Sequence, residues 1–160
     1  LIVHVGCGDG RVTQELAERG YNVVGVDPSP TALARLHVPR LGVSRTVLSG
    51  ADGSSLAFGP GHVHGTSLPG DAGNSVIAGH RDTHFSFLRD IEMEDTVVIE
   101  RFSGRKHLYK VIGIDVVDSR RGILLLDTDT SILSLVTCYP FDAAEAGGPL
   151  RYVVTARKVY

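Results

Sequence analysis

Cys138 closes an apolar run, SLVTC, and is followed at once by Tyr139 and Pro140. A thiol at the end of a hydrophobic strand is held rigidly and meets solvent where the strand breaks. Its chemistry would be attack on a carbonyl, which needs a thiolate, a proton carrier and a group that steadies an oxyanion. A free cysteine titrates near ~8.5, so little of it is thiolate at neutral pH, and a nearby cation raises that fraction. His80 also ends an apolar run, SVIAGH, just before the polar RDTH. Arg151 opens RYVVTARKV, the run that follows Cys138 across the connection 139–150. If those two runs pair antiparallel, the end of one lies beside the start of the next and Arg151 meets Cys138. The connection is long for a hairpin, and long connections in compact domains are often functional. Each residue also has a plainer reading: a cysteine ending a buried strand as a small core residue, a packed or surface histidine, and a surface arginine.

The elements that must position these groups are short strands. The chain has 160 residues, enough for one compact domain with a real core. Its 42% hydrophobic and 21% charged residues describe a globular fold, and a net charge of −2 offers no basic footprint for nucleic acid. Two cysteines, Cys7 and Cys138, make neither a disulfide framework nor a zinc motif. No apolar run reaches the length of a membrane helix. The chain begins at Leu1 rather than Met and reads as a fragment, which leaves room for a leader or membrane anchor ahead of it.

Residues 1–30 have a βαβ pattern: LIVHVG as a strand, RVTQELAERG as a helix stopped by Gly20, and YNVVGVD as a second strand. From Thr31 the texture changes. LARLHVPRLGV alternates, with a bend at Pro39. Residues 50–74 read as a long loop with one helical turn near 54–58. SVIAGH is a strand, HFSFLRDI a short helical turn, and DTVVIERF and KHLYKVIGIDVVD form a hairpin through SGR. GILLLDT, TSILSLVTC and RYVVTARKV complete the strands. Such spacing suggests a barrel or sandwich over residues 33–160.

Three of these motifs, in this order, resemble those of the sortase family, in its Gram-negative type. SLVTC resembles the TLxTC signature, with Ser134 where a threonine is usual; SVIAGHRDTHFSFLRDI resembles the histidine segment; LRYVVTARKV resembles the last strand. The resemblance covers about residues 33–160 and implies a mainly β fold, an eight-stranded barrel with short helices over 31–160. It implies a cysteine transpeptidase that cleaves an LPxTG-like sorting signal between Thr and Gly through a thioacyl intermediate and passes the acyl end to an amine. By that resemblance Cys138 is the nucleophile, His80 the proton carrier and Arg151 the oxyanion and substrate donor, with Thr137 supporting the oxyanion or the substrate backbone. VVIERF and GILLLDT are expected to supply apolar walls. The partners implied are surface proteins bearing the signal, and the location is extracytoplasmic, at the bacterial inner or plasma membrane, with a membrane anchor expected in the full-length protein. Some sortases use calcium, but no acidic cluster here calls for it, so no cofactor is expected.

VGCGDGRVTQELAERGYNVVGVDPS, in contrast, resembles the first motif of S-adenosylmethionine-dependent methyltransferases. There Gly6, Gly8 and Gly10 would admit the cofactor and Asp27 would bind the ribose hydroxyls. No βα alternation continues after Pro30, so residues 1–30 are expected to be foreign to the rest and no independent domain. The alternatives to a transpeptidase are a methyltransferase fragment and a non-catalytic binding barrel. Among smaller signals, His62 and His64 have chelating spacing but no third ligand, His84 suits a rim position, and Asp82 suits a turn or a bond to His80. No metal site is expected.

Overall fold

The computed structural model describes residues 2–5, 11–26, 31–121, 128–143 and 148–159, in two compact units, Leu1–Ala32 and Leu33–Tyr160. In the first unit, β1 (Ile2–Val5) and β2 (Val23–Val26) pair in parallel, Ile2 with Val23 through Val5 with Val26, on either side of α1 (Arg11–Glu18). Gly20 ends that helix in the left-handed region, at φ +86°. Its N–H donates to Ala17 O (2.9 Å), and Tyr21 N–H donates to Leu16 O (3.2 Å). These are the paired bonds of a Schellman cap.

The second unit is a closed barrel of eight strands: β3 (Ala32–Val38), β4 (Val43–Ser49), β5 (Gly61–His62), β6 (Gly73–Ala78), β7 (Thr96–Arg101), β8 (Lys106–Asp118), β9 (Ser131–Cys138) and β10 (Leu150–Val159). Around the barrel the order is β10-β8-β7-β3-β4-β5-β6-β9. The pairs β4/β5 and β6/β9 are parallel. Alternation with a period of two puts Ala34, Leu36, Val38, Val97, Ile99, Tyr109, Val111, Leu133 and Leu135 inside, all fully buried. A bulge at Thr155/Ala156 shifts the β8–β10 register, and Val153 and Val154 are both buried beside it. The β7–β8 hairpin turns at Gly104 (φ +82°), whose N–H donates to Arg101 O at 2.8 Å.

Residues 50–74 are more ordered than the sequence suggests. The helical turn is α2 (Gly53–Leu56), capped by Asp52 Oδ1 accepting from Ser55 N–H at 2.9 Å. β5 lies within the expected loop and escapes notice because two residues have no periodicity. It joins β4 closely: a Cβ on Gly61 would stand 2.0 Å from Gly50 O, so only glycine fits. Pro39 bends the chain as expected, opening a short 3₁₀ turn over Pro39–Leu41. From it Arg40 grips the buried Asp95 just before β7, with Nε to Oδ1 at 2.5 Å and Nη2 to Oδ2 at 2.7 Å. The expected strand GILLLDT falls mostly on residues 122–127, outside the described residues.

Candidate active site

β9 runs out at Cys138, and β10 begins beside it. The register pairs Arg151 directly with Cys138, Tyr152 with Thr137 and Val153 with Val136. Directly opposed residues of an antiparallel pair project from the same face. The half-buried thiol and guanidinium therefore share one side of the wall. Tyr139 N–H donates to Leu150 O (3.1 Å) and closes the pair just past the thiol. Arg151 Nη1 donates to Gly148 O (2.6 Å) and Leu150 O (2.9 Å), which fixes the guanidinium against its own approach.

β6 flanks β9 on the other side. Its parallel register ends with Ala78 opposite Val136, and Gly79 N–H continues the ladder to Val136 O at 3.1 Å. His80 and Cys138 each stand two residues beyond that last pair, Cys138 as the final residue of β9 and His80 just past the end of β6. The chain turns immediately after His80: its carbonyl accepts from Phe85 N–H at 2.9 Å, and the buried Phe85 ring lies on Gly79. A Cβ on Gly79 would meet that ring at 2.8 Å. His80 itself is exposed.

Thr137 is buried, and its hydroxyl donates to Gly79 O at 2.7 Å. That bond commits the hydroxyl proton and ties the strand of Cys138 to the strand of His80. The sequence reading missed Arg81. A charged residue after an apolar strand reads as solvated, yet Arg81 is 6% exposed. It donates from Nη1 to Pro140 O (2.7 Å), from Nη2 to Ala143 O (2.8 Å) and from Nε to Asp82 Oδ1 (3.1 Å). Asp82 thus engages Arg81. An aromatic group surrounds the end of β9: Tyr139 stacks on Tyr152 at 6.0 Å, Phe141 meets Tyr152 edge-on at 5.0 Å, and Arg89 lies 5.3 Å over the Phe141 ring. Burial, and then Tyr139, push the Tyr152 phenol up.

The other candidates lie apart. His62 is buried, its Nε2 within 2.9 Å of Ser67 O and 3.1 Å of Thr66 Oγ1, so it braces the turn that follows it. His64 is exposed and His84 half-buried. Val97 and Ile99 of VVIERF point into the core, and β7 adjoins β3 and β8 rather than the strands of Cys138, His80 and Arg151. Gly6, Cys7, Gly8, Gly10 and Asp27 lie outside the described residues.

A closed barrel that presents a cysteine, a histidine and an arginine from three adjacent strand ends defines a class of thiol-bearing barrels. Comparison with known proteins names the class. The sortase domain family model matches residues 36–159, and the chain belongs to the sortase family. It is 29% identical over 125 residues to Sortase D of Bacillus subtilis (strain 168), a match covering 78% of this chain and 62% of that protein. Sortase A from Corynebacterium diphtheriae superposes with a TM-score of 0.73 at 29% identity, covering 82% of this chain and 62% of that one. A Clostridium perfringens Sortase D5 transpeptidase superposes with a TM-score of 0.71 at 25% identity, over 81% of this chain and 80% of that one. The chain therefore spans under two thirds of the first two relatives.

The N-terminal segment has other relatives. A methyltransferase domain model matches residues 2–67. The ubiquinone biosynthesis O-methyltransferase of Pseudomonas aeruginosa (strain UCBPP-PA14) is 42% identical over 45 residues, 27% of this chain and 19% of that protein. The composite character read from the sequence holds. Where the two models overlap, over residues 36–67, the chain is barrel: it contains β4 and β5 and the end of β3, Leu36–Val38.

Proposed function

We propose that this chain is a cysteine transpeptidase that recognises an LPxTG-like sorting signal, cleaves it between Thr and Gly and transfers the acyl end to an amine. The observation that carries the reading is the register that sets Arg151 against Cys138, with His80 at the matching step on the other flank. The Cys138 thiolate attacks the Thr carbonyl carbon, and the C–N bond breaks as His80, as imidazolium, gives its proton to the leaving amine. A thioester to Cys138 remains. The incoming amine attacks that thioester, His80 takes its proton, and Cys138 leaves as thiolate. Arg151 donates to the oxyanion in both steps. Thr137, with its hydroxyl committed to Gly79 O, acts by position, holding the histidine and cysteine strands together.

The substrates are surface proteins bearing the signal, and the site of action is the outer side of the cytoplasmic membrane. Among the described residues no helix is long and apolar enough to cross a membrane. The test is cleavage of a quenched fluorescent LPxTG-type peptide. Cys138→Ala is expected to remove turnover entirely while leaving the melting curve in place; turnover retained by that variant would overturn the reading.

A further inference from the structure

The two strand ends are pinned on both sides of the reacting groups. Upstream, Thr137 donates to Gly79 O, joining the residue before Cys138 to the residue before His80. Downstream, Arg81, the residue after His80, donates to Pro140 O and Ala143 O in the segment that leaves Cys138. Pro140 and Ala143 are themselves joined, Ala143 N–H donating to Pro140 O at 3.4 Å, so their carbonyls form a turn for the guanidinium to span. Burying a cation is costly unless its donors are satisfied. Arg81 meets that cost with two backbone carbonyls and the carboxylate of Asp82, itself mostly exposed. A planar fork reaches separate acceptors at fixed spacing; a lysine ammonium does not.

Resting on the proposed pairing of His80 with Cys138, we propose that Arg81 is a positioning residue, which fixes the imidazole relative to the thiol by clamping the segment after Cys138 to the segment after His80. It touches neither substrate nor the reacting atoms. A misplacement of about 1 Å between reacting groups can cost about 10²-fold in rate, and this clamp acts on the two backbone segments that set that distance.

The test needs no peptide substrate. Alkylation of Cys138 by iodoacetamide at neutral pH is followed by intact mass in the full chain carrying Cys7→Ala, with and without His80→Gln. With Arg81 present, His80→Gln is expected to slow alkylation about tenfold; in Arg81→Lys the same change is expected to matter less than about twofold, a coupling between the two positions. Arg81→Gln, which keeps an N–H donor, is the second variant, and thermal melting reports folding in each. A His80 effect that persists in full in both Arg81 variants, even with a lowered melting temperature, overturns the proposal and leaves Arg81 a purely structural tie. Failure of both variants to fold does the same. An alkylation rate that His80→Gln leaves unchanged with Arg81 present overturns the His80–Cys138 pairing itself, and the Arg81 proposal falls with it.

Discussion

Arg151 meets Cys138 through backbone register, yet its guanidinium is aimed by two carbonyls, Gly148 O and Leu150 O, both taking Nη1. The remaining donors of the planar fork lie in a fixed orientation. Charge alone therefore does not reproduce the residue. Arg151→Lys is expected to lower kcat/KM on a sorting peptide by about 10²–10³-fold, the usual cost of one oxyanion donor, with stability within about 0.5 kcal/mol, as for a partly exposed side chain. Kinetics beside a urea melt would check it; near-normal turnover in the lysine variant would make charge the only requirement. Cys138 and Arg151 were legible in the sequence because each sits where an apolar run meets a polar break, and a hairpin brings such ends together. His80 was not legible by spacing. It too ends an apolar run at a polar break, but its strand is a parallel neighbour far away in sequence, so only the family motif placed it beside Cys138. Arg81 gave no signal, since its burial depends on where the chain goes after Pro140.

The parallel pair β6/β9 frames the candidate site, and a buried bond between side chains joins the two strands. Ser134 Oγ donates to Asn74 Oδ1 at 3.0 Å, and both residues are buried. Ser134→Ala is expected to cost about 1 kcal/mol, the net worth of such a bond, read as a lower urea midpoint at unchanged slope. A midpoint that does not move would mean that the bond adds nothing over the packing around it. Strands with clear alternation were readable: KHLYKVIGIDVVD is β8 residue for residue, and TSILSLVTC holds β9. β5 was not, because its two residues are selected by a close approach at Gly61 and not by hydrophobic period. VVIERF has a buried inner face, Val97 and Ile99, yet its strand adjoins β3 and β8 and not the strands of Cys138 and His80. Alternation says that a strand has an inner face, but not which strands are its neighbours.

At the scale of the whole molecule, acid acts on Asp95 and His107 with the same sign. Arg40, by its hydrogen bonds, holds the Asp95 carboxyl below its ordinary 3.8. The folded state thus binds that proton less readily than the unfolded chain, and the stability it confers is complete above 3.8 and lost as pH falls through the lowered value. His107, its ring packed on Gly70, is pushed below 6.5 first by burial and then by Lys158 and Arg101. Protonation again favours the unfolded chain, so stability is full above 6.5 and declines as pH drops towards the folded value. Urea midpoints across acid pH should therefore fall in two stages, and His107→Gln should remove the earlier one. A wild-type midpoint that stays flat between neutrality and about pH 5 would contradict this account of His107.

In the proposed reaction Cys138 carries the acyl group. The most direct measurement is intact mass after incubation with a library of LPxTG-type peptides, with and without an added amine. The expected product is an adduct equal to the peptide up to its Thr, mapped to Cys138, absent in Cys138→Ala and discharged when the amine is added. An adduct that maps elsewhere, or amide product formed by Cys138→Ala, would contradict it.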